Sequence, residues 1–107
     1  PNFNYTNALT LWFLLKEGKI SSINGVDKFL HDPIVHTIAQ RLYIGDIVSS
    51  KMLGTEAQVF ARFYLMADRR SEINKKIDQL IETIKVVDEN GCNMIIDFGS
   101  NIQKIYV

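Results

Sequence analysis

Cysteine is nearly absent from this chain of 107 residues: Cys92 is the only one. That excludes an intramolecular disulfide and a thiolate metal site. A reducing, cytoplasmic setting fits such usage. Long hydrophobic runs are also missing. The longest, Leu9 to Leu15 with Thr10 inside it, is far short of a membrane span, and no signal peptide is visible. Neither sign of charge is in excess. Twelve basic and twelve acidic residues cancel, so the basic footprint of a phosphate-backbone binder is absent. No nucleic-acid or membrane partner is expected. The chain opens at Pro1 without an initiator methionine, which reads as a fragment of something longer.

What is present is enough for a core. Hydrophobic residues make up 47% of the chain and aromatics 10%. These values place it among globular sequences, as a single domain over 1–107.

Hydrophobic periodicity divides that domain. Residues 8–16 alternate, with Leu9, Leu11, Phe13 and Leu15 on one face and Trp12 and Leu14 on the other. Both faces are apolar, which predicts a strand covered on both sides. Glu17-Gly18 predicts a hairpin into GKISSING, ended by Gly25. Val26 to His31 predicts a helical turn, stopped at Asp32-Pro33. Ile34 to Tyr43 alternates as a long strand. Ile44-Gly45-Asp46 is a turn, Ile47-Val48 a brief resumption of pairing, and Ser49 to Thr55 a loop.

Glu56 to Met66 has the longest alternation. Val59, Ala61, Phe63 and Leu65 oppose Phe60, Arg62, Tyr64 and Met66. It predicts a central strand, with Arg62 reaching solvent or a carboxylate at the sheet margin. Ile73, Ile77, Leu80, Ile81 and Ile84 recur at offsets of three and four, predicting one amphipathic helix over 72–85 with Ser71 as its N-cap. Val86-Val87, a turn over Asp88-Glu89-Asn90-Gly91, a return strand over 93–96 and an edge strand over 102–107 complete the reading. The fold class is α+β: a mainly antiparallel sheet with one principal helix packed on it.

Candidate chemistry is sparse. No GxxxxGK[ST] or GxGxxG phosphate loop occurs. His31 and His36, five residues apart across Asp32-Pro33, do not converge as a helical four-residue spacing would, and read as surface or satisfied imidazoles. Cys92 has no histidine near it in sequence and reads as a small packed hydrophobe. Arg69-Arg70 could hold an anion at the helix entry, but a solvated entry accounts for the pair better. Asp88-Glu89 reads as turn chemistry rather than an acid–base pair. Trp12, Phe13, Tyr43, Phe60, Phe63 and Tyr64 read as core rather than a stacking platform. The residues therefore assign no catalytic, cofactor-binding or metal-ligating position.

The order of short motifs adds a resemblance. GKISSING over 18–25, a proline-led strand ending in a Gly-Asp turn over 33–46, and a strand, serine-led helix and Asp-x-x-Gly hairpin over 60–94 follow one another. This order resembles the C-terminal lobe of ATP-grasp ligases of the amino-acid ligase, biotin carboxylase and carbamoyl-phosphate synthase type. The resemblance implies a C-terminal domain without a complete active site of its own, closing or supporting the substrate cleft of an ATP-dependent carboxylate–amine ligase. It implies an upstream ATP-grasp domain in the same chain as partner, ATP and magnesium as cofactors of the whole protein but none in this fragment, and a possible homodimer. The family's magnesium-binding Asn is not carried over to Asn2, Asn4 or Asn7, because the Glu-x-Asn context is absent. A free-standing sheet-and-helix binding or dimerisation module is the alternative.

Overall fold

A computed structural model describes residues 5–106. Its seven strands and one α-helix are β1 (Tyr5–Leu15), β2 (Gly18–Asn24), β3 (Val35–Gln40), β4 (Ile47–Val48), β5 (Val59–Ala67), α1 (Arg70–Thr83), β6 (Lys85–Asp88) and β7 (Ile95–Tyr106). All strand pairing is antiparallel. A four-stranded sheet has the order β3-β5-β1-β7, and a three-stranded sheet the order β4-β2-β6. The α+β class is as the sequence predicts, but the strands divide between two sheets.

That division overturns the expected hairpin at Glu17-Gly18. β1 pairs with β5 and β7, whereas β2 pairs with β4 and β6. The turn residues instead carry the chain from one sheet to the other. Lys16 N–H donates to the Met94 carbonyl at 2.8 Å, tying the crossing point to the start of β7.

β5 is interior, between β3 and β1, as its alternation predicts. One face of the large sheet is sealed. Leu9 lies opposite Leu65, Leu11 opposite Phe63 and Phe13 opposite Ala61. All six side chains are buried. The Phe13 ring meets Phe63 edge-on at 5.2 Å and Phe98 at 5.0 Å, geometry that aromatic quadrupoles favour. α1 supplies Ile73 and Leu80 to the same core, with Ile84 just past its end, while Ile77 and Ile81 flank it half-buried. The three-stranded sheet adds Ile20, Val48 and Val86 to the one core cluster.

The helix begins earlier than expected. Arg69, not Ser71, is the N-cap; its N–H is met by the Glu72 carboxylate at 3.4 Å, and Ser71 lies in the first turn. Lys76 straps α1 to the loop before β3. Its ammonium reaches the Asp32 carboxylate at 2.5 Å and Gln79 Oε1 at 2.6 Å, over the Phe29 ring. Burial pushes the Asp32 carboxyl up, but the Lys76 hydrogen bond and charge and the Ile34 and Val35 N–H groups outweigh it and hold the carboxyl below 3.8.

Gly25 closes the far end of this layer. With φ near 96°, it sits where a Cβ would come within 2.5 Å of the Thr83 carbonyl oxygen at the helix end.

Candidate functional site

Apart from the 54–58 segment beside buried Val59, the opposite face of the large sheet carries no second layer among the described residues. Its rows run across the strands: Thr37–Tyr64–Thr10–Asn101, then Ala39–Arg62–Trp12–Gly99, with Ala8 beside Met66. Tyr64 is 37% exposed, Thr37 and Ala39 are exposed, and Thr10, Trp12, Arg62 and Met66 are half-buried. The expectation that β1 is covered on both sides therefore fails. Alternating apolar residues can face a core on one side and an open apolar surface on the other, and periodicity does not separate the two cases.

Three bulges shape this face. His36 is the extra residue between Val35, opposite Leu65, and Thr37, opposite Tyr64. A bulge bends its strand and re-aims a side chain. The second is Phe60, left over where the register shifts from Phe13–Ala61 to Leu14–Val59. The shift puts Val59 opposite Leu14 on the open face and Phe60 in the core, fully buried, the reverse of simple alternation. The third is Ile96 on β7, between Leu14–Asp97 and Leu15–Ile95.

The His36 bulge borders a groove of about 390 Å³ between β3 and β1. Ala8, Leu65 and Met66 give it apolar lining; His36, Thr10, Thr37 and Tyr64 give it polar groups. An apolar groove with a few convergent polar groups is the usual build of a small-ligand site. An imidazole, a phenol and two hydroxyls can donate and accept hydrogen bonds, and the Met66 thioether adapts to an apolar surface.

The other residues singled out in the sequence fall elsewhere. His31 is exposed and lies before β3; only His36 reaches the groove. Asn7 is buried, and its amide donates to the Asp68 carbonyl at 3.1 Å and the Ala67 carbonyl at 3.5 Å, a structural role. Asn2 and Asn4 lie outside the described residues. Arg70 donates to Asn74 at 3.0 Å, one turn on, while Glu72 meets the helix entry. The chain thus supplies its own anion there, in line with the solvated reading.

Asp88 is turn chemistry, as expected. Its Oδ1 accepts from Cys92 N–H and Asn90 N–H, each at 2.9 Å, and Lys16 approaches Oδ2 at 3.4 Å. The Cys92 N–H first, then that of Asn90 and Lys16, hold the Asp88 carboxyl below the ordinary value against the upward pull of burial. Cys92 does not pack as a small hydrophobe. The hairpin that fixes its backbone leaves the residue exposed. The aromatic set divides: Phe13, Phe60 and Phe63 are core, whereas Trp12, Tyr43 and Tyr64 are not. The signal for the open face was Arg62 among the even-numbered residues of β5, since a charge in a double-faced strand marks the side that meets water.

Among the described residues, no group of three or more His, Cys, Asp or Glu side chains could hold a metal ion, and no helix is long and apolar enough to cross a membrane. The chain matches no family model, no curated protein and no solved structure.

Proposed function

We propose that this chain serves as the C-terminal lobe of an ATP-dependent carboxylate–amine ligase of the ATP-grasp type, acting in the cytoplasm, and that it offers the open face of its large sheet to the substrate cleft. The observation that carries the reading is that open face, with His36 on its bulge beside Tyr64, Thr10 and Thr37. The motif order supports it too. GKISSING forms β2 and the turn after it, 33–46 spans β3 and the Gly-Asp turn, and 60–94 spans β5, α1, β6 and the hairpin.

In this reading the nucleotide, magnesium and acyl-phosphate chemistry belong to an upstream ATP-grasp domain. This lobe excludes water from one side of the cleft and orients the substrate by hydrogen bonds from His36 and Tyr64. Excluding water strengthens electrostatic interactions within a site. Positioning of this kind contributes to rate without a catalytic group of its own.

The test is to express the protein that the complete coding sequence specifies and to assay phosphate release from ATP with mixed carboxylate and amine substrates. Release that needs both substrates, and that falls roughly 10–100-fold in His36→Ala or Tyr64→Phe, supports the reading. Absence of a lysine-bearing nucleotide fold upstream, together with no substrate-dependent release, contradicts it. The second reading, a free-standing binding or dimerisation module, is favoured by the same uncovered face. It predicts a partner-free chain that self-associates through Trp12, Tyr64 and Met66.

A further inference from the structure

The open face holds a second groove, of about 420 Å³, at the other end of β1 from the His36 groove. Trp12, Leu14 and Val59 line it from the sheet, the 54–56 loop forms its wall, and Arg62 stands at its side. We propose that this groove binds a small carboxylate with an apolar or aromatic body, the body against Trp12 and Leu14 and the carboxylate on Arg62. The proposal rests on this groove alone and does not depend on the ligase reading.

The wall is pre-formed. Gln58 is buried; its amide donates to the Leu15 carbonyl at 2.9 Å and its Oε1 accepts from Gly54 N–H at 2.8 Å. The Arg41 guanidinium donates to the Glu56 carbonyl from the other side. Thr55 Oγ1 accepts from Ala57 N–H at 3.2 Å. A groove fixed in this way loses little entropy when a ligand enters.

The indole is also placed by design of the backbone. A Cβ at residue 99 would stand 2.0 Å from Trp12 Nε1 and 2.1 Å from Cε2, so only glycine at 99 admits the ring there. Glycine in a strand often marks such a close approach.

Charge decides the ligand class. Arg62 is half-buried, and its nearest carboxylate, Glu56, stands 4.0 Å away on a side chain that is 91% exposed. An exposed pair at that distance is worth little. A ligand carboxylate meeting the guanidinium squarely makes two charge-assisted hydrogen bonds instead. Glu56 then swings into water. The uncharged analogue leaves Arg62 to the same weak pair, so the discrimination falls on the carboxylate.

Trp12 is the only tryptophan, so its emission reports the groove directly. The experiment titrates the whole chain with 3-phenylpropanoate and with 3-phenylpropanamide, following Trp12 emission and the Arg62 Nε–H resonance. The acid is expected to bind saturably and roughly tenfold tighter than the amide. Arg62→Gln, checked for folding by circular dichroism, should bring the two probes level, and Glu56→Gln should strengthen the acid. Equal binding of acid and amide to the unaltered chain overturns the proposal. So does a preference that survives Arg62→Gln, or no saturable change up to about 20 mM. A pentapeptide ending in phenylalanine that binds tighter than 3-phenylpropanoate would assign the groove to a chain terminus and overturn the small-ligand form.

Discussion

The two faces of the large sheet are built from the same strands and nearly the same residue types, yet they differ sharply in burial. The sealed face puts Leu9, Leu11, Phe13, Phe63 and Leu65 against α1 and the small sheet, and all five are at most 3% exposed. The open face puts Trp12, Leu14, Tyr64 and Met66 beside Arg62, Thr10 and Thr37, with no layer above them among the described residues. Burial makes the first face the source of stability. The second face lacks such cover; the His36 bulge borders one of its two grooves, and the register shift at Phe60 places Val59 in the lining of the other.

The contrast is broken first by truncation. Phe63→Ala should lower unfolding free energy by about 3–5 kcal/mol, whereas Met66→Ala three residues on should cost less than about 1 kcal/mol. Urea midpoints of the two variants check this. Equal losses would mean that the open face is core as well.

Gly99→Ala should come next, at about 1–3 kcal/mol, because its methyl group collides with the indole. Trp12 emission should shift with it, since the ring must move.

Asp32→Ala should cost a similar or smaller amount, about 1–2 kcal/mol, by leaving the Lys76 ammonium without its carboxylate. Its pH dependence follows from sign. The folded-state carboxyls of Asp32 and Asp88 lie below their ordinary 3.8, so the unfolded chain takes up their protons first. Their contribution is in place above 3.8 and is lost as pH falls through the lower folded values. Acid titration of stability should therefore steepen below about pH 4, less so in Asp32→Ala.

Much of the sealed face was legible in the sequence. Alternation in β1 and β5 and the three-four spacing of Ile73, Ile77, Leu80, Ile81 and Ile84 are local signals, and burial follows them except at Ile77 and Ile81, which stay half-buried, and Phe60, which the β5 bulge turns into the core. The division into two sheets was not legible, because Glu17-Gly18 has the composition of a hairpin turn whether or not the flanking strands pair. The sequence predicts β7 as two pieces, 93–96 and 102–107, interrupted at 97–101. Asp97, Gly99, Ser100 and Asn101 lower strand propensity, and only pairing along the whole of β1 holds them extended. β7 is described as far as Tyr106, and Val107 lies outside the described residues. The His36 groove was not legible either. A bulge is a property of the partner strand's register, and no spacing within 34–43 announces it.

The comparison turns on whether the open face is a binding surface or an unfinished core. Hydroxyl-radical footprinting of Trp12, Tyr64 and Met66, in this chain alone and in the protein its complete coding sequence specifies, tests it most directly. Ready labelling of all three is expected in the isolated chain and, on the proposed ligase reading, protection of Tyr64 and Met66 when substrates are added to the protein of the complete coding sequence. Labelling as slow as that of Phe63 in the isolated chain, or labelling unchanged by substrates in the protein of the complete coding sequence, would contradict a binding surface.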